Sequence, residues 1–158
     1  MSWTVSGGDV RLMEQSTDLG IDVRAGTLPQ LFDVAALATM AVQCLPLPAT
    51  DGAARATDLR SRLEVLGPRV PARQLALSGH DSGMLLVHWL RELSYLLETE
   101  GFLYTGTRFL EVGPGLGAMV SGVRCRLPLV REVKGVTYHE LVVSLVGDEW
   151  RARISYDL

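Results

Sequence analysis

Residues 81–112 read DSGMLLVHWLRELSYLLETEGFLYTGTRFLEV, and the hydrophobic period changes within them. Up to Gly101, the residues Leu86, Trp89, Leu90, Leu93, Leu96 and Leu97 recur at helical spacing and form one apolar stripe. Asp81 or Ser82 supplies a capping oxygen, and Gly101 is a stop signal. From Phe102 to Val112 the spacing becomes two, which is the signature of a strand. Downstream the same period continues in Ala118–Leu127, Glu132–Val136, Glu140–Val146 and Trp150–Tyr156, with turns at Gly113-Pro114-Gly115 and Gly147-Asp148. Upstream, Thr27 and Gln30 have capping-box spacing, and Leu28, Leu31, Phe32, Ala35, Thr39 and Val42 share a helical face that Pro46 ends. Two helices and a run of strands joined by short turns predict an α+β fold, with the two helices packed on a mostly antiparallel β-sheet.

Shorter alternating stretches at Arg11–Glu14, Ile21–Arg24 and Gln74–Ser78 add strands. Residues 1–10 carry Ser6-Gly7-Gly8 and read as a flexible N-terminus. Residues 11–158 read as a single domain, with a surface insertion at 49–72 that is rich in Ala, Arg, Gly and Pro. At 158 residues the chain can bury a full core without a metal or disulfide staple. Hydrophobic residues at 47%, charged residues at 21% and a mean hydropathy of +0.20 exclude a disordered tail. A net charge of -3 argues against generic nucleic-acid binding, which needs clustered Lys and Arg. Cys44 and Cys125 stand far apart with no C-x-x-C, as in a reduced chain. No secretory signal or membrane span is visible, so a soluble, cytoplasmic protein with no membrane partner is expected.

Leu110-Glu111-Val112-Gly113-Pro114-Gly115-Leu116-Gly117 is similar to the first motif of Rossmann methyltransferases. That chemistry needs a helix after the glycines, so that backbone N–H groups can approach S-adenosylmethionine. Only 41 residues follow Gly117, and they read as strands. A hairpin turn is the preferred reading, and a small S-adenosylmethionine-dependent methyltransferase is the enzyme alternative.

Among the acidic residues, Asp18 reads as a turn aspartate or as a ligand for a hard cation. Asp157 shares a strand face with Arg151, Arg153 and Ser155, opposite Trp150, Ala152, Ile154 and Tyr156. Two such carboxylates with main-chain oxygens would suit Ca²⁺ or Mg²⁺ better than zinc. Lys134 is the only lysine beside fourteen arginines, as if a compact ammonium were needed there; chance survival is the plain alternative, and since Lys134 shares a strand face with Glu132 and Val136 a simple cross-strand ion pair is also open. His139 lies between two strands, and His88 and Glu92 have i,i+4 spacing that more often makes a weak surface contact than a metal site. No Ser/His/Asp order and no phosphate loop appears.

Four ordered stretches then resemble one family, the archeases, which are accessory proteins of the GTP-dependent RNA ligase of tRNA splicing. Glu14-Gln15-Ser16-Thr17-Asp18-Leu19-Gly20-Ile21 is similar to the family's D-H-T-A-D-I-G-I opening. Thr27-Leu28-Pro29-Gln30-Leu31-Phe32 resembles T-L-E-E-L-F, and Leu86–Leu93 resembles L-V-D-W-L-N-E-L. Glu132-Val133-Lys134-Gly135-Val136-Thr137-Tyr138-His139 resembles E-V-K-A-V-T-Y-H, and the chain then ends much as the family does.

The resemblance implies a protein cofactor, not itself an enzyme, that promotes guanylylation and multiple turnover of a ligase joining 3′-phosphate and 5′-hydroxyl RNA ends. It implies a divalent cation, calcium with magnesium as the alternative, held by Asp18, Asp157 and the main-chain oxygen of Leu158. Lys134, Tyr138 and His139 become contacts to the partner or its nucleotide, and RNA is met only through the ligase. Gln15 replaces the family histidine and cannot titrate, and His88 replaces an acidic residue. A metal-free protein adaptor is the remaining alternative.

Overall fold

The computed structural model of the chain describes residues 2–14, 18–48 and 58–158. The strands are β1 (Ser2–Val5), β2 (Gly8–Glu14), β3 (Asp18–Ala25), β4 (Arg69–Ser78), β5 (Phe102–Val112), β6 (Gly115–Arg124), β7 (Gly135–Val146) and β8 (Glu149–Asp157). The helices are α1 (Leu28–Cys44), α2 (Leu59–Glu64) and α3 (Ser82–Glu100). Among the described residues all pairing is antiparallel, in two sheets ordered β1-β2-β3-β8-β7 and β4-β6-β5. The α+β class with helices on antiparallel strands holds. The single sheet becomes two, and a third helix joins the expected pair.

The helix signals act where they were read. The Gln30 amide donates to the Thr27 hydroxyl at 3.2 Å, and the Met84 amide donates to the Asp81 carboxylate at 2.8 Å. Gly101 closes α3 at φ 67°, a left-handed conformation that a side chain would strain. α1 differs from a one-faced helix because it is buried nearly all round. It packs on β2, β3 and β8 on one side and on β5 and α3 on the other, so both sheets share it as their core. Ala35, Ala36, Ala38 and Ala41 are buried in this layer, and their small side chains suit close packing. Trp89 of α3 completes the layer: its indole N–H donates to the Phe32 carbonyl at 3.0 Å, and its ring stands edge-on to Tyr104.

Several expectations change. The N-terminus is not loose, because Trp3 and Val5 are buried and residues 2–5 pair with residues 8–11. Ser6-Gly7 is the two-residue hairpin turn between these strands, with Gly7 at φ 92°. The segment read as a surface insertion is also part of the fold where it is described. Leu59 and Leu63 of α2 are fully buried, and β4 begins at Arg69, while residues 49–57 lie outside the described residues.

The glycine motif is a turn: the Gly113 amide donates to the Gly115 carbonyl at 2.9 Å, and β6 follows instead of a helix. Without a helix N-terminus behind the glycines, the methyltransferase reading has no phosphate- or cofactor-facing amides to use. Residues 131–134 stay outside the ladder. A single strand, β7, then runs from Gly135 through Val146 across an irregularity between Thr137 and Val142. Among the described residues no helix is long and apolar enough to cross a membrane.

Candidate functional site

Alternation on β3 buries Leu19, Ile21, Val23 and Ala25 and turns Asp18, Asp22 and Arg24 outward, with Gly20 buried on that outer face. On β8 it buries Ala152, Ile154 and Tyr156 and turns Arg151, Arg153, Ser155 and Asp157 outward. The register between the two strands places Asp18 directly opposite Asp157. Two residues separated by almost the whole chain therefore meet on the outer face, at one end of the five-stranded sheet. Directly opposed residues have Cβ atoms about 4.5–5.5 Å apart, and like charges in that position repel. Among the described residues neither carboxylate has a hydrogen-bond or ion-pair partner.

The other end of this face is balanced differently. Arg11 stands opposite Asp22, which stands opposite Arg153, and Asp9 stands opposite Arg24. Opposite charges alternate across β2, β3 and β8 in the Arg11–Asp22–Arg153 row, which is favourable, while Arg24 and Arg151 face each other as like charges with Glu149 beside both. The Asp18/Asp157 row is the one that leaves two negative charges facing each other.

β7 brings the third strand to the same end. Gly135 is the cross-strand partner of Asp157, and the Lys134 amide donates to the Asp157 carbonyl at 2.7 Å. The Lys134 side chain is exposed, with no partner among the described residues. Leu158 is half-buried and packs against the core edge. The structure thus brings Asp18, Asp157, Leu158 and the Lys134 backbone together. Tyr138 and His139 follow on β7, where the ladder register jumps from Thr137 to Val142, and their side chains lie outside the described residues, as does Gln15.

What holds this end in place is buried behind it. The Thr39 hydroxyl donates to the Ala35 carbonyl at 2.8 Å, so its single proton is used. The Tyr156 hydroxyl, 2.7 Å away, is then the donor to Thr39. Burial raises the Tyr156 phenol above its ordinary pKa, the Thr39 bond opposing, and it stays neutral. This bond fixes the residue just before Asp157 to the central helix.

The approach to Lys134 is fixed by Arg131, whose guanidinium donates to the Val42 carbonyl at 2.7 Å, while the Val130 amide donates to Gln43 at 2.8 Å. These bonds satisfy carbonyls left open at the end of α1. Arg91 of α3 anchors the start of β7 by donating to the Val136 carbonyl through Nε at 3.2 Å and Nη2 at 2.9 Å.

Sequence reading missed Arg91 and Arg131 as positioning residues, since an exposed Arg has no pattern of its own. It also missed a half-buried pair behind β5. Asp33 accepts from Arg60 Nη1 at 3.3 Å, from Arg60 Nη2, and from the Tyr104 hydroxyl at 2.6 Å. The His88 and Glu92 spacing holds no metal site: His88 Nδ1 is within 2.7 Å of the Ser78 carbonyl. Among the described residues no three His, Cys, Asp or Glu side chains converge to hold a metal ion. The Asp18/Asp157 row offers two carboxylates and main-chain oxygens, a hard-oxygen set that would leave further positions to water or to a partner's atoms.

Residues 11–158 match the model of the Archease protein family (MTH1598/TM1083). Protein archease of Methanosarcina acetivorans is 33% identical over 95 residues, a stretch covering 55% of this chain and 65% of that protein. Protein archease of Methanopyrus kandleri is 32% identical over 108 residues, 64% of this chain and 76% of that protein. The match thus spans somewhat less than two thirds of the Methanosarcina relative's length.

The solution structure of Methanobacterium thermoautotrophicum protein 1598 superimposes with a TM-score of 0.67 at 22% identity, covering 94% of this chain and 98% of that one. The crystal structure of a Thermotoga maritima archease, described as a possible chaperone, superimposes with a TM-score of 0.61 at 14% identity, covering 94% and 96%. At those identities the two structures speak to the fold, and the family model speaks to kinship over nearly the whole chain. The chain belongs to the archease family.

Proposed function

We propose that this chain is a protein cofactor of a GTP-dependent RNA ligase, promoting guanylylation and multiple turnover in tRNA splicing or RNA repair. It would work in the cytoplasm without performing the ligation itself, and RNA would reach it through the ligase. Family membership supports the general class of accessory protein. The observation that carries the site is the cross-strand register of Asp18 with Asp157.

Asp18, Asp157 and the main-chain oxygen of Leu158 would hold a divalent cation, calcium or magnesium, at the open end of the sheet. When bound, that ion would supply positive charge between two carboxylates that otherwise repel. Lys134, held beside Asp157 by its own amide, would add a mobile ammonium for a phosphate or an acidic group of the ligase. Tyr138 and His139, farther along β7, would extend the contact. The chain's own contribution is placement: Tyr156 and Arg91 hold the ends of β8 and β7, and Arg131 holds the segment leading to Lys134, so that the charged groups face one partner together.

The test is multiple-turnover RNA joining by the cognate ligase with and without this protein, following joined product and ligase–GMP adduct together. Both should rise with the native chain, and the rise should fall with Asp18→Ala or Lys134→Ala. If the two variants stimulate as well as the native chain, the proposed site is wrong. A metal-free adaptor is the second reading, favoured because no three metal-ligating side chains converge among the described residues. Calcium titration separates them, since an ion that binds only the folded state raises the melting temperature.

A further inference from the structure

Register shifts on both outer strands of the three-stranded sheet open a cleft on its surface. β4 and β6 lose step between Val70 and Arg73, and β5 and β6 lose step between Tyr104 and Gly106. Ser121 of β6 is exposed between them, opposite Gly106, which has no side chain to cover it. The cleft measures about 680 Å³, within the range of small-molecule sites. It lies on the other sheet from the Asp18/Asp157 row, so the inference stands apart from the ligase reading.

Arg60 of α2, Arg69 of β4 and Arg108 of β5 all line this cleft. Arg69 stands opposite Val123 and Arg108 opposite Met119, so the register puts both on the face that Ser121 occupies. Both are exposed, and neither has a partner among the described residues. Arg60 is held in place: Nη1 donates to the Asp33 carboxylate at 3.3 Å and to the Thr105 carbonyl at 2.6 Å, and Nη2 donates to Asp33. These bonds leave the Nε hydrogen and one Nη2 hydrogen of the guanidinium unused. Gly106 makes room for it, since a Cβ there would lie 3.1 Å from Arg60 Nη1.

Two unpaired guanidiniums beside a fixed one suit phosphate oxygens, which accept forked pairs of N–H bonds. The cleft also holds acceptors. Glu64 lines it, and the Thr107 hydroxyl gives its proton to the Met119 carbonyl at 3.1 Å, which leaves its oxygen able to accept. Acceptors beside an anion site call for a ligand that carries hydroxyl donors next to its phosphate. No aromatic ring lines the cleft among the described residues, so a nucleobase would find nothing to stack on.

We propose that this cleft binds a sugar phosphate. The phosphate would sit on Arg69, Arg108 and the spare N–H groups of Arg60, and sugar hydroxyls would donate to Glu64 and Thr107. Val70 and Met119, both half-buried, would take the C–H face of the sugar.

The experiment titrates the isotope-labelled full chain with glucose 6-phosphate, ribose 5-phosphate, inorganic phosphate and glucose, following amide resonances by NMR. Both sugar phosphates should move the Gly106 and Ser121 amides and bind about tenfold more tightly than inorganic phosphate, while glucose alone moves nothing. Arg69→Gln and Arg108→Gln should each weaken sugar-phosphate binding about tenfold and leave the melting temperature unchanged, because neither side chain has a partner to lose. Glu64→Gln tests the sugar half. It removes a repulsive charge, so inorganic phosphate should bind more tightly, while the preference for a sugar phosphate should shrink. The inference is overturned if neither sugar phosphate moves those amides, if both arginine variants bind as the native chain does, or if inorganic phosphate binds as tightly as the sugar phosphates. A Glu64→Gln chain that keeps the full preference would overturn the sugar assignment as well.

Discussion

Asp157→Asn should reverse sign with the metal content of the buffer. In the register observed, Asp157 faces Asp18 across the β3–β8 pair, and neither has an ion-pair partner among the described residues. Taking carboxylate charges about 6 Å apart in a water-like dielectric, Coulomb repulsion is about 0.7 kcal/mol. Salt at physiological strength, with a screening length of about 8 Å, reduces this to about 0.3 kcal/mol. Removing one charge should therefore raise the melting temperature by about 1–2 °C in dilute buffer with EDTA, and by less in salt.

With calcium the order should invert. An ion at ten times its dissociation constant stabilises the native chain by about 1.4 kcal/mol, or roughly 3–5 °C for a domain of this size. The variant should keep little of that gain. Differential scanning fluorimetry of both proteins, with EDTA and across a calcium series, measures all four values. A variant that melts lower in EDTA would show that Asp157 makes a stabilising contact instead of a repulsive one. A variant that gains as much from calcium as the native chain would show that the ion, if any, sits elsewhere.

Gly101→Ala should lower stability by about 1–2 kcal/mol, since φ 67° is left-handed and the new Cβ would lie 3.1 Å from the Cys125 carbonyl oxygen; urea unfolding reads the loss. Asp33→Ala strands a half-buried Arg60 guanidinium and a buried Tyr104 hydroxyl, so it should cost about 2–4 kcal/mol. Combining it with Arg60→Met should recover part of that loss in the urea midpoint. Arg131→Ala removes a bond to the end of α1 and should cost about 1 kcal/mol by thermal melt, while reducing ligase stimulation by more than the melt predicts, because the segment leading to Lys134 loosens.

Local signals were legible because they depend on neighbours in sequence. Thr27 and Asp81 cap their helices, Gly101 ends one, and Phe102–Val112 is a strand with the bounds its alternation implied. Ser6-Gly7-Gly8 was misread for a related reason: the same residues make a loose end or a tight hairpin, and only the burial of Trp3 decides between them. α1 looked one-faced because a second sheet, assembled from later residues, covers its other side. At the candidate site, Asp18 and Asp157 each had an ordinary explanation where they stood. Family resemblance pointed to both, but neither spacing nor composition could place them opposite each other. Arg91 and Arg131 gave no signal at all, since their targets are main-chain carbonyls, which every residue carries.

The strand order has a kinetic meaning. β8 lies between β3 and β7, and its partner β3 is encoded more than a hundred residues earlier. The hairpins β1–β2 and β7–β8 can close quickly, each across a two-residue turn. The β3–β8 seam must instead pay the entropy of a very long loop, which makes it a candidate for the slow step of folding. Asp18 and Asp157 become neighbours only when that seam zips. A collapsed intermediate with α1 and α3 formed would still lack the carboxylate pair, so a calcium-dependent signal during refolding would time seam closure separately from helix formation.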